Sequence, residues 1–199
     1  MDPFLRVLEI FLLIAVPVLI FFVRSNWQKL EINVNLILLP FIWYLTYAPI
    51  HELSHIIGYS IAGVEVTGYR LMTHFLEGDY GFSKIQTATA LGTDWKSLVI
   101  LSSPYIFDLI FVLIGFLLFK QIKLRNSFLA GLIFLLFCLR PFYDFVDNYI
   151  AVFYSQSDIT IISRIIGEPI TYIFGIVSIG FILLVNLIIL GWYKNYPDT

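Results

Sequence analysis

Residues 32–64 read INVNLILLPFIWYLTYAPIHELSHIIGYSIAGV, an apolar run broken by one polar knot, His51-Glu52-Leu53-Ser54-His55. No charged residue occurs from Ile32 to Ile50, and a second charge-free stretch starts at Ile56. A bilayer core about 30 Å thick is crossed by roughly 20 apolar helical residues. At about 1.5 Å per residue this run exceeds a bilayer's thickness, so it is expected to tilt, kink or protrude, with Pro49 as the kink point.

The rest of the chain agrees with a lipid environment. Of 199 residues, 59% are hydrophobic and 13% charged, against about 45–50% and about 25% in soluble domains. The mean hydropathy is +0.88, and a soluble domain of this size cannot bury so much apolar surface. Twelve basic against 14 acidic residues give a net charge of −2, which supplies no basic field for nucleic acid. A lone cysteine, Cys138, excludes a disulfide framework and a thiolate metal cluster, and it reads as a small buried hydrophobe.

Working outward, four more apolar windows appear. Phe4 to Val23 is too long for a signal peptide and reads as a retained first span. Leu98 to Phe119 carries one charge, Asp108; Asn126 to Leu139 meets Arg140 and Pro141 and then turns polar; Pro169 to Tyr193 has no charge and finishes on an aromatic-basic edge. The polar stretch Glu65 to Lys96 holds alternating segments, Val64 to Met72 and Tyr80 to Thr89, around the turn-like Glu77-Gly78-Asp79. A second irregular region, Asp144 to Glu168, contains the short amphipathic piece Ile159 to Ile166. The expectation is an all-α integral membrane protein: a single polytopic domain over residues 1–199, multi-pass in the cell membrane. It would have five to six transmembrane helices and a small membrane-surface β-hairpin between the second and third.

The knot is the chemistry-bearing feature. Residues four apart stack on one helix face, so the imidazoles of His51 and His55 can share one zinc ion while Glu52, about 100° round the helix, serves as general base. His51 lies roughly 20–25 Å along the helix from Asn35, inside the membrane, where each ionisable group costs about 2.5–3.5 kcal/mol. A cluster that expensive is functional by default. Gly58 and Ala62 continue the same face and leave room for another helix or for a substrate segment.

A catalytic zinc takes three protein ligands, so one more is required. The remaining histidine, His74, falls in the hairpin loop, and Asp108, Asp144, Asp147 and Asp158 are better placed. Each late aspartate also has a structural reading. Asp144 is four residues after Arg140, the spacing of a helical ion pair; Asp147 suits a turn or cap beside Asn148; Asp158, after Ser157, suits a helix cap. Spacing alone does not choose among them.

These residues resemble the site-2 protease class of intramembrane zinc metalloproteases, most closely its compact members without a PDZ domain. His51-Glu52-Leu53-Ser54-His55 with Gly63 resembles that family's HELGH-type helix, with Ser54 where glycine is usual. Ser102-Ser103-Pro104 resembles its small-small-Pro entry to the next span, and Ser157-Asp158-Ile159 before Ile166-Gly167-Glu168-Pro169 resembles its Ser-Asp-small element, though the usual Pro-x-Asp-Gly form is absent. The resemblance implies one zinc per chain held by His51, His55 and Asp158, with Asp144 and Asp147 as alternatives to Asp158. It implies hydrolysis of peptide bonds in membrane-spanning or membrane-associated proteins, with Glu52 moving the proton; the hairpin from Val64 to Thr89 has two readings, strand addition to an extended substrate and a simple membrane-surface hairpin. Two competing functions are a membrane metal-ion transporter, for which three histidines are few, and a catalytically inactive relative that binds a membrane protein.

Overall fold

The computed structural model describes residues 30–70, 84–87, 91–121, 126–153 and 157–194. The expected first span Phe4 to Val23, His74 and the turn Glu77-Gly78-Asp79 lie outside them. The order is α1 (Leu30–Ala62), β1 (Val66–Arg70), β2 (Lys84–Thr87), α2 (Trp95–Gln121), α3 (Ser127–Phe134), a π-helical turn (Leu135–Leu139), α4 (Arg140–Ala151), α5 (Asp158–Ile166) and α6 (Glu168–Lys194). Among the described residues, three helical runs are long and apolar enough to cross a membrane: Trp95–Gln121, Phe128–Ala151 and Glu168–Trp192. Their outward positions are apolar, as at Ile106, Ile110 and Leu113 on α2 and Ile173, Ile176 and Val177 on α6. In water such faces would drive aggregation, whereas lipid solvates them.

Helix α1 runs through both Pro40 and Pro49 without a break, 33 residues in one element. At Gly63 the backbone turns to φ +64°, a conformation that suits a residue without a Cβ, and the chain leaves the helix. Strands β1 and β2 pair antiparallel with a register irregularity between Val66 and Gly68. The sheet packs through Val66 and Ile85 onto Tyr59 and Ala62 of α1 and Ile100 of α2. Helix α2 starts on an N-cap: the Ser97 backbone N–H donates to Asp94 Oδ1 at 2.9 Å.

Helices α1 and α2 cross at close range because Gly58 has no side chain; a Cβ there would meet Ser103 Oγ at 2.6 Å and the Ile100 Cα at 3.0 Å. The small residues on this face of α1 therefore serve helix packing. Ser103 reinforces the contact, its Oγ 2.8 Å from the Ser54 carbonyl oxygen.

The fourth apolar run differs from expectation. The region from Asp144, expected to be irregular, is helical as far as Ala151: the run continues through Arg140 and Pro141, so Asp144, Asp147 and Asn148 sit on a helix. Two physical reasons account for this. The π-turn widens the helix where Pro141 lacks an N–H, and Asn186 of α6 approaches the Cys138 carbonyl there, Nδ2 to O at 3.4 Å. The polar residues that follow face inward, with Arg140 and Asp144 both 0% exposed. Helices α5 and α6 meet at Gly167, whose φ of +92° makes a sharp joint.

Candidate metal centre

His51 and His55 occupy successive turns of α1 and converge on one point. His51 Nε2 lies 3.2 Å from His55 Nε2, and Asp158 Oδ2 lies 3.0 Å from His55 Nε2 and 3.5 Å from His51 Nε2. Among the described residues these three form the group whose donor atoms could hold one ion, all within 4.8 Å of one another. Zinc bonds of about 2.0–2.1 Å at tetrahedral angles require donor atoms roughly 3.3 Å apart. The three edges bracket that value, so the donor atoms have the spacing of one face of such a tetrahedron.

Each donor is aimed by a neighbour. Asp158 is the first residue of α5, and Ser157 takes the capping role in its place through a reciprocal capping box with Thr160, which leaves the Asp158 carboxylate to the histidines. His51 Nδ1 is 2.8 Å from Asp144 Oδ2. That carboxylate is itself held: the Tyr47 hydroxyl donates to Asp144 Oδ1 at 2.8 Å and the Asn148 amide donates to the same oxygen at 3.0 Å. Tyr47 is fixed in turn, stacked on Trp43 with ring centroids 5.0 Å apart and meeting Tyr143 edge-on at 5.1 Å. His55 takes a different partner, the Ile100 carbonyl oxygen of α2, 2.9 Å from Nδ1.

Asp144 does not form the local ion pair its spacing suggests. Arg140 turns to Asp108 of α2, a pair in which both side chains are 0% exposed, and its guanidinium lies 5.8 Å from the centroid of the Phe111 ring. Asp108 is thereby placed in charge balance one layer outside the donors. Asp147 is half-buried on α4 and lies outside the donor group. Glu52 is half-buried on the turn of α1 that carries His51, and it and Asp158 are both within electrostatic reach of the Tyr59 hydroxyl.

Sequence reasoning did not identify Tyr47, Asn148 or the Ile100 carbonyl. A signal for the first two exists: Tyr47 precedes His51 by four residues, and Arg140, Asp144 and Asn148 form an i, i+4 polar ridge in an apolar helix. A backbone carbonyl leaves no side-chain signature.

Comparison with protein-family models, with curated proteins and with solved structures returned no match to this chain.

Proposed function

We propose that the protein is an intramembrane zinc metalloprotease, multi-pass in its membrane with α1 as a further span, whose metal is held by His51, His55 and Asp158 and whose general base is Glu52. The observation that carries this reading is the triangle of donor atoms, with edges of 3.0, 3.2 and 3.5 Å at the spacing a tetrahedral zinc requires. Imidazole with carboxylate suits zinc better than the all-oxygen sets that magnesium and calcium take.

When bound, zinc supplies a Lewis acid that polarises a substrate carbonyl and brings water to reactivity near neutral pH. Asp144 and the Ile100 carbonyl hold the imidazoles so that both Nε2 atoms keep their lone pairs toward the ion. Glu52 takes the proton of the attacking water and delivers it to the leaving amine nitrogen, a transfer that needs a carboxylate beside the ligands and not among them. A helical substrate must unwind to expose its carbonyl. The β1–β2 sheet, packed on the same turns of α1 and α2 that adjoin His55, offers strand edges to which the unwound segment can add at the membrane surface.

Metal analysis combined with a proteolysis assay on wild type and Glu52→Gln in detergent or bilayer discs tests this reading. The variant should retain about one zinc per chain and lose cleavage. Normal turnover in Glu52→Gln rejects the general base, and metal flux without cleavage in wild type points to a transporter. Asp158→Ala should lower zinc occupancy more than Asp144→Ala, since one removes a ligand and the other the partner of a ligand.

A further inference from the structure

Pro104 stands in the middle of α2, 27 residues of otherwise regular helix. A proline there has no N–H, so the carbonyl four residues earlier receives no helical hydrogen bond, and the ring pushes that carbonyl off the helix axis. The carbonyl four residues before Pro104 is that of Ile100. It is the acceptor that faces His55 Nδ1 at 2.9 Å.

We propose that Pro104 is a positioning residue for the metal centre: by freeing and tilting the Ile100 carbonyl it fixes the ring of His55, with the hydrogen on Nδ1 and the lone pair of Nε2 turned toward His51 Nε2 and Asp158 Oδ2. The inference rests on the metal-centre reading above. Neutral imidazole carries one ring hydrogen, and the hydrogen bond at one nitrogen decides which nitrogen can bind a metal. His51 receives that instruction from a carboxylate, Asp144; His55 receives it from the main chain.

Two neighbouring features complete the device. Ser103 Oγ lies 2.7 Å from the Ile100 carbonyl oxygen and 2.8 Å from that of Ser54. A hydroxyl has one hydrogen to give to either carbonyl, so the serine ties α2 to α1, and the Ile100 oxygen, with two lone pairs, accepts from the imidazole whichever way the hydroxyl turns. Gly58 allows the approach, since its absent side chain lets α1 close on Ile100 one turn from His55. Gly58, Ser103 and Pro104 thus act together on one hydrogen bond.

The test is Pro104→Ala in the full chain, with zinc affinity measured by competition against a chelator and thermal unfolding measured on the metal-free protein. Alanine restores the N–H at position 104, which competes for the Ile100 carbonyl and draws it back to the axis. Zinc affinity should fall roughly ten- to a hundredfold, while the metal-free protein melts at the same or a higher temperature because a helical hydrogen bond is regained. A proline with only a structural role predicts the stability gain without the affinity loss. Pro40→Ala, which restores an N–H in α1 away from the histidines, should leave affinity unchanged. Wild-type affinity in Pro104→Ala overturns the inference and leaves the metal site standing; no zinc uptake by wild type overturns the metal site itself. If Pro104→Ala does not fold, nitrogen-15 histidine spectra of zinc-loaded wild type decide: a slowly exchanging Nδ1–H on His55 is expected, and a rapidly exchanging one refutes the proposal.

Discussion

Asp144→Asn isolates the contribution of the carboxylate behind His51. The amide keeps the size of the side chain, and Asp144 is 0% exposed, so no cavity opens. The change falls on three hydrogen bonds. Tyr47 and Asn148 both donate to Oδ1, which fixes the amide oxygen of the variant at that position and turns its NH2 toward His51 Nδ1. Two donors then face each other unless the His51 hydrogen moves to Nε2, where it blocks the lone pair that binds metal. Flipping the amide restores the contact with His51 but sets its NH2 against that of Asn148. Either outcome forfeits a hydrogen bond to a charged group, about 1.5–3 kcal/mol, corresponding to a loss of roughly ten- to a hundredfold in zinc affinity. Chelator competition on purified protein in bilayer discs measures it, with metal-free unfolding temperature as the control for folding. Tyr47→Phe, which removes one donor to Asp144 and does not touch the imidazole, should weaken binding less. Unchanged affinity in Asp144→Asn refutes the argument that Asp144 orients His51.

Asp108→Asn removes the hydrogen-bonded counter-charge of the buried Arg140 guanidinium, and breaking such a pair from one side costs up to about 3–5 kcal/mol; a fall in unfolding temperature is expected, and Arg140→Met combined with Asp108→Asn should recover much of it. Gly58→Val inserts atoms where a Cβ alone already meets Ser103 Oγ at 2.6 Å, so overpacking of about 1–3 kcal/mol is expected, together with weaker zinc binding as Ile100 is pushed from His55. For Asp94, the Ser97 backbone N–H at the start of α2 holds the carboxyl below its usual value. A lowered folded-state value stabilises the fold above the ordinary carboxylate pKa of about 3.9 and loses that effect as pH falls through the folded value. The difference in unfolding temperature between wild type and Asp94→Ala should therefore be constant at neutral pH and shrink in acid; a difference independent of pH removes the charge from the explanation.

Parts of the site were legible because they are local. The HExxH spacing places two imidazoles on one face of any helix, and α1 is a helix there. Helices α2 and α6 follow from apolar runs of bilayer length. The partner of each imidazole was not legible, because Asp144 and the Ile100 carbonyl approach from other helices, and geometry, not spacing, separates the donor Asp158 from Asp144 and Asp147. Arg140 and Asp144 illustrate the limit. Four residues apart on one helix, they suggest a local ion pair, yet each is claimed across an interface by a residue the local window does not contain. The polar residues after Leu139 mislead for the same reason: polarity ends a helix exposed to lipid, but a ridge whose charged members are engaged by other helices, Arg140 by Asp108 and Asp144 by Tyr47 and His51, can continue through it.

The three donors also have a topological meaning. His55 and Asp158 are 103 residues apart in the chain, and the second is carried on a short helix that reaches α6 through the Gly167 joint. An ion held between them closes a loop of that length in a chain whose single thiol is buried and free. By the chain-entropy estimate for cross-links, a loop of about 100 residues is worth about 4.7 kcal/mol. A metal bound there would double as the molecule's staple, and chelation should then release α5 from the histidine helix before any helix melts.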